Sequence, residues 1–173
     1  MEQLEIRLLG GFQLGRDGRV LEQLPLRAAR SLFAFLVLNR ERAHTRDLLA
    51  GTFWPNFDEG RARRRLSQAL WQTQKSLGED DGQRYLIGTP DTIRFNPEAD
   101  FWLDIDEFLA ALDEAADADR SGESEALTRA VGLYRGDLLA GFYDDWLFPD
   151  QSQLRTKFLT ALERLADLAM ARS

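Results

Sequence analysis

The chain has 173 residues, 44% hydrophobic and 29% charged, with a formal net charge of −7 and no cysteine. This composition supports a packed core and excludes a disordered chain, a disulfide framework and thiolate metal sites. No apolar run approaches the ~18 residues of a membrane span. The opening MEQLEIRLLGG lacks the layout of a signal peptide, so a cytoplasmic protein is expected.

The acidity is unevenly spread. Residues 1–98 carry 15 Lys+Arg against 13 Asp+Glu, a net +2, whereas residues 99–173 carry 7 against 16, a net −9. Such asymmetry predicts two modules with different partners, divided at residue 98.

In chain order, residues 4–9 and 12–14 read as strands about Gly10-Gly11. Residues 19–24 form a third strand behind Asp17-Gly18, a dipeptide that favours a tight hairpin. Pro25 fits the first turn of a helix, and Leu32, Phe33, Phe35, Leu36 and Leu38 make that helix largely buried. Thr45 reads as the N-cap of a short helix, Arg46–Phe53, that stops before Pro55. Asp58 caps the next helix, which ends near Gly78. Two strands, 85–87 and 92–95, then flank Gly88-Thr89-Pro90-Asp91. Short helices followed by a β-hairpin are the layout of a winged helix-turn-helix, whose last helix enters the DNA major groove.

The second half reads as helices over 104–118, 123–134 and 153–171, with residues 119–122 as a polar separator. Leu154, Phe158, Leu162, Leu165 and Leu168 lie on one side of the last helix, as core rather than partner-binding residues. The expected fold class is therefore α+β: a winged helix with a short antiparallel sheet, three helices and a hairpin wing, followed by an all-α helical domain.

The most basic stretch is DEGRARRRLSQALWQTQKSLG, 58–78. At 100° per residue, Ala62, Leu66, Ala69, Leu70, Thr73 and Leu77 fall within roughly 60° of one line, a buried stripe. Arg64, Gln68, Trp71 and Lys75 lie opposite, with Arg61, Arg65 and Gln72 alongside. Arg63 sits at the stripe's edge and is the weaker candidate. Arg suits guanine or phosphate, Gln suits adenine and Lys suits phosphate. No acid interrupts residues 61–75, whereas a merely solvated face mixes in Glu for i,i+4 pairs. Trp71 reads either as a stacking residue on sugar or base methyl or as packing against the hairpin. Secondary candidates are Thr45 and Arg46 at a helix N-terminus, and Thr92 and Arg94 on the hairpin, which read equally as plain strand residues.

LEIRLLGGFQL, RAARSLFAFLVLNRERAHTRDLLAGTFWP and DEGRARRRLSQALWQTQKSLG together resemble the OmpR/PhoB-type winged helix of Streptomyces antibiotic regulatory proteins. ADFWLDIDEF (99–108) and AVGLYRGDLLAGFYDDW (130–146) resemble the bacterial transcriptional activation domain that follows it in that family. The resemblance spans nearly the whole chain. It implies a bacterial transcriptional activator that binds direct repeats in double-stranded DNA near promoters and recruits RNA polymerase. It further implies a tetratricopeptide-like second half, 99–173, incomplete here because the chain stops after about three helices. FPDQSQLR (148–155) departs from the family, Pro149 being expected to interrupt a charged helix. The resemblance also implies a polymerase-contacting loop over 54–60, with Trp54, Asn56, Phe57, Asp58 and Glu59 as candidates; Trp54 is equally a core residue.

Enzymatic readings find little support. His44 is the only histidine and is expected to be structural, which leaves no histidine triad and no transition-metal site. Asp104 reads as a helix cap, and Asp106 and Glu107 as first-turn acids. Gly10-Gly11 lacks the Lys-Ser/Thr of a phosphate loop. No cofactor, small-molecule ligand or membrane partner is implied. The alternative to a DNA-binding activator is a winged-helix scaffold for protein interactions, favoured by the acidic half and opposed by the acid-free helix face.

Overall fold

Strand β1 (Leu4–Arg7) pairs antiparallel with β2 (Gln13–Arg16), and β2 with β3 (Arg19–Val20). Between the last two, Asp17 and Gly18 take φ of 52° and 75°, the positive pair that a tight primed turn requires. In this computed structural model the described residues are 3–21, 24–78 and 84–172. The end of the expected third strand, Glu22 and Gln23, lies outside them. The fold is α+β, with six α-helices and seven short strands among the described residues.

Two compact units form, one from the residues up to Val20 together with those from Phe101 onward, the other Leu21–Asp100. The second break falls near the expected residue 98. The first arises because β1 also pairs in parallel with β7 (Phe101–Leu103), Ile6 opposite Leu103, giving the order β3-β2-β1-β7. The N-terminal strands thus group with the acidic part of the chain.

That first unit continues with α4 (Asp104–Asp117), α5 (Arg120–Leu133) and α6 (Phe148–Met170). Asp104 is not the cap expected of it. Its buried carboxylate accepts the N–H of Leu8 at 3.0 and 3.1 Å and that of Leu9 at 2.9 Å, fastening the end of β1 to the start of α4. Burial pushes this carboxyl above its ordinary range, against the pull of those N–H donors. Helix α5 begins within the expected separator, because the Asp119 side chain accepts the Gly122 N–H at 2.8 Å. Helix α6 begins ahead of the expected start, with Pro149 in its first turn, where the missing N–H costs nothing; Pro149 opens the helix rather than interrupting it. Ala115, Ala126, Leu127, Ala161 and Leu168 form the helical core. Leu154 is buried, Phe158 and Leu165 are half-buried, and Leu162 is exposed, so Ala161 takes the inward place expected of Leu162.

The second unit holds α1 (Arg27–Leu38), β4 (His44–Thr45), α2 (Arg46–Phe53), α3 (Glu59–Ser76), β5 (Leu86–Gly88) and β6 (Thr92–Phe95), the strands ordered β4-β6-β5. Pro25 precedes the Leu26 cap of α1 and is not inside its first turn. Leu32, Phe33 and Leu36 of α1 are buried with Leu49, Leu66, Leu70, Ile93 and Phe95, and Phe33 meets Phe95 edge-on at 5.9 Å. His44 is structural: it is buried, its Nε2 lies 2.9 Å from the Asn39 carbonyl, and its ring abuts Phe35.

Candidate nucleic-acid interface

Helix α3 is the longest of the second unit, and its boundaries follow from local chemistry. The Asp58 carboxylate accepts the Arg61 N–H at 2.8 Å, and Gly78, with φ of 93°, follows the Leu77 C-cap. Ala62, Leu66, Ala69, Leu70, Thr73 and Leu77 are all buried, the stripe that the periodicity predicts. Arg61, Arg64, Arg65, Gln68, Trp71 and Lys75 are exposed, and Gln72 is half-buried.

The exposed side chains fall into two groups. On the side next to the α2–α3 loop, Arg65 lies over the Phe57 ring at 5.0 Å and Arg61 is 3.6 Å from Asp58. Around the rest of the face, Lys75 lies over the Trp71 ring at 4.9 Å, and Trp71 is 58% exposed. Trp71 therefore is not a core residue. Arg64 and Gln68 make no ion pair or hydrogen bond among the described residues. The Gln72 Oε1 is buried without a hydrogen-bond partner.

The secondary candidates converge on the start of α2 and the hairpin turn. Thr45 caps α2 by accepting the Leu48 N–H at 3.2 Å and sits opposite Thr92 in the β4–β6 pair. Two-residue β4 escapes sequence reading because an extended N-cap and a strand look alike over so short a stretch. Arg46 donates its backbone N–H to Asp91 O at 2.9 Å and its Nε to Thr89 O at 3.0 Å, which ties the turn to the helix. The hydroxyls of Thr89 and Thr92 lie 2.9 Å apart. Arg94 is directed elsewhere: its Nη2 donates to the Arg40 carbonyl at 3.0 Å. Between α2 and α3 Trp54 is buried, whereas Asn56, Phe57 and Asp58, and Glu59 at the start of α3, are exposed.

Thr45, Arg46, Asp47, Arg63, Leu66, Ser67, Pro90 and Asp91 line one recess between the start of α2, α3 and the hairpin turn. Two of these, Arg63 and Ser67, are exposed α3 residues that helical periodicity underrated. Arg63 places Nε at 2.8 Å and Nη2 at 2.5 Å from the Asp47 Oδ1. No group of three or more His, Asp or Glu able to hold a metal ion occurs among the described residues. No helix is long and apolar enough to cross a membrane among them either.

Residues 103–172 match the family model of the bacterial transcriptional activator domain. A solved structure of Mycobacterium tuberculosis EmbR in complex with a low-affinity phosphopeptide shares the fold, with a TM-score of 0.82 at 24% identity. The match covers 99% of this chain and 46% of that one, so the chain spans about half the length of its structural relative. No curated protein matches the chain by sequence. Over residues 103–172 the chain is thus similar to a bacterial transcriptional activator domain. The family-model match supports the resemblance of the second half to the activation domain of Streptomyces antibiotic regulatory proteins, and the likeness to the solved structure bears on the fold alone.

Proposed function

We propose that the protein is a sequence-specific DNA-binding transcriptional activator with no enzymatic activity of its own. In this reading Leu21–Asp100 is a winged helix, with α3 in the major groove and the β5–β6 hairpin as its wing. The observation that carries it is the outer face of α3, exposed, cationic and without an acid from residue 61 to 75, in a chain whose net charge is −7. Solvated helix faces satisfy their cations with neighbouring carboxylates; Arg64 and Gln68 have none and suit base edges or phosphate. Residues 99–173 serve as a tetratricopeptide-like activation domain, and the exposed residues Asn56, Phe57, Asp58 and Glu59 are the candidate contacts to RNA polymerase. Binding to direct repeats follows from the resemblance and implies tandem copies on DNA.

Selection of binding sites from random DNA tests this reading, followed by titration of the selected site at several salt concentrations. A recurring direct repeat is expected, with affinity falling steeply as salt rises, since each neutralised phosphate releases counterions. No selected motif and no salt-dependent shift would overturn it in favour of a winged-helix scaffold, the reading favoured by the acidity of residues 99–173.

A further inference from the structure

We infer that Arg63 and Asp47 act together as a specificity-determining pair that reads one G·C base pair; this rests on the DNA-binding reading above. The guanidinium is held along one edge, Nε and Nη2 both on the Asp47 Oδ1 at 2.8 and 2.5 Å. Nη1 and the outer hydrogen of Nη2 stay uncommitted, and so does the Asp47 Oδ2, among the described residues. The side chains are 59% and 70% exposed. An ion pair so open to water contributes little to stability, so fastening α2 to α3 is a weak account of it.

Pre-orienting the fork is a better account. A free arginine loses much rotamer freedom on docking, whereas an arginine already held by a carboxylate presents its remaining donors in one plane. Those donors match guanine O6 and N7, and the free Asp47 Oδ2 matches the N4 amino group of the paired cytosine. The surroundings favour a base edge over a phosphate. Arg46 and Arg63 are balanced in the recess by Asp47 and Asp91, so it offers no net positive charge to an anion. The recess also lies where α3, the start of α2 and the hairpin turn meet, and Ser67 stands one turn along α3 from Arg63. In this assignment Arg63 touches the base, and Asp47 is also a positioning residue that acts through it.

The test compares the full chain with Arg63→Lys and Asp47→Asn by site selection and by titration against the selected duplex and a scrambled one. Arg63→Lys keeps the charge but lacks the fork. It is expected to leave binding to scrambled DNA and the salt slope unchanged, while losing about 5- to 150-fold on the selected site and relaxing one G·C position. Asp47→Asn is expected to relax the same position, with no more than a small shift in melting temperature. Unchanged preference in Arg63→Lys overturns the inference, as does uniformly tighter binding of Asp47→Asn to both duplexes, the mark of an acid merely removed from a DNA-facing surface. A wild-type chain that selects no motif overturns the DNA-binding reading itself; a wild type that selects one, with both variants unaltered, overturns this inference alone.

Discussion

The two longest helices of the molecule put their arginines to different uses. On α6 the arginines are paired: Arg155 bonds Asp137, and Arg164 meets Glu123 through Nε at 2.5 Å and Nη2 at 3.0 Å. Arg129 on α5 is likewise held by Glu114. On α3, among the described residues, only Arg61 and Arg63 meet an acid, Asp58 and Asp47, whereas Arg64 has none beside it and Arg65 rests on an aromatic ring. The contrast is not a matter of how many charges each unit holds. Residues 21–100 have 12 Lys+Arg against 11 Asp+Glu, nearly neutral, yet residues 61–75 of α3 include no acid. Net charge says little about partners; the arrangement of charge on a surface says more.

Mutations separate structural charge from charge held in reserve. The largest stability effect is expected from Asp104→Ala, which strands two buried N–H groups at Leu8 and Leu9. A loss of about 2–4 kcal/mol in denaturant unfolding follows from two unsatisfied donors, with Asp104→Asn falling between it and wild type. Next, Arg64→Ala is expected to cost on the order of 1–3 kcal/mol in specific DNA binding while changing stability by less than about 0.5 kcal/mol. A variant that instead melts early but binds normally would erase the contrast between the helices. Lys75→Gln should weaken binding to all sequences alike and reduce the salt slope by about one.

The smallest effect concerns pH. The Arg155 and Arg164 guanidiniums hold the carboxyls of Asp137 and Glu123 below their ordinary range. Their contribution is present above the unfolded carboxyl pKa and lost as pH falls through the lowered values. The raised Asp104 carboxyl works in the other direction, its contribution being lost as pH rises through its folded value. Acid titration of Asp104→Asn, which lacks that opposing group, should therefore show a steeper loss of stability than wild type. An identical acid profile would show that Asp104 is not raised.

Most elements were legible because their signals are local. Thr45 and Asp58 announce helix starts through a side chain three residues from its donor, and the α3 stripe follows from Ala, Leu and Thr recurring every three or four positions. The expected starts of α5 and α6 were late because Asp119 reads as loop and Pro149 as a breaker; each becomes a helix-starting residue only once the following turn is formed. On the candidate interface, the outward side of Arg61, Arg64, Arg65, Gln68, Trp71 and Lys75 was readable from periodicity. The partners of Arg46, Arg63 and Arg94 were not.

By itself the sequence determined the helices and hairpins, the split of α3 into an apolar and a cationic face, and the separation of acidic from near-neutral chain. These depend on spacing within a few residues, which the backbone geometry of helix and strand converts directly into faces. Only the tertiary structure decided that β1 joins β7, that Asp104 serves backbone donors 95 and 96 residues away, and that Arg63 meets Asp47 across two helices. Such contacts join positions whose separation along the chain carries no periodic trace, and they exist only when burial and loop closure bring the elements together.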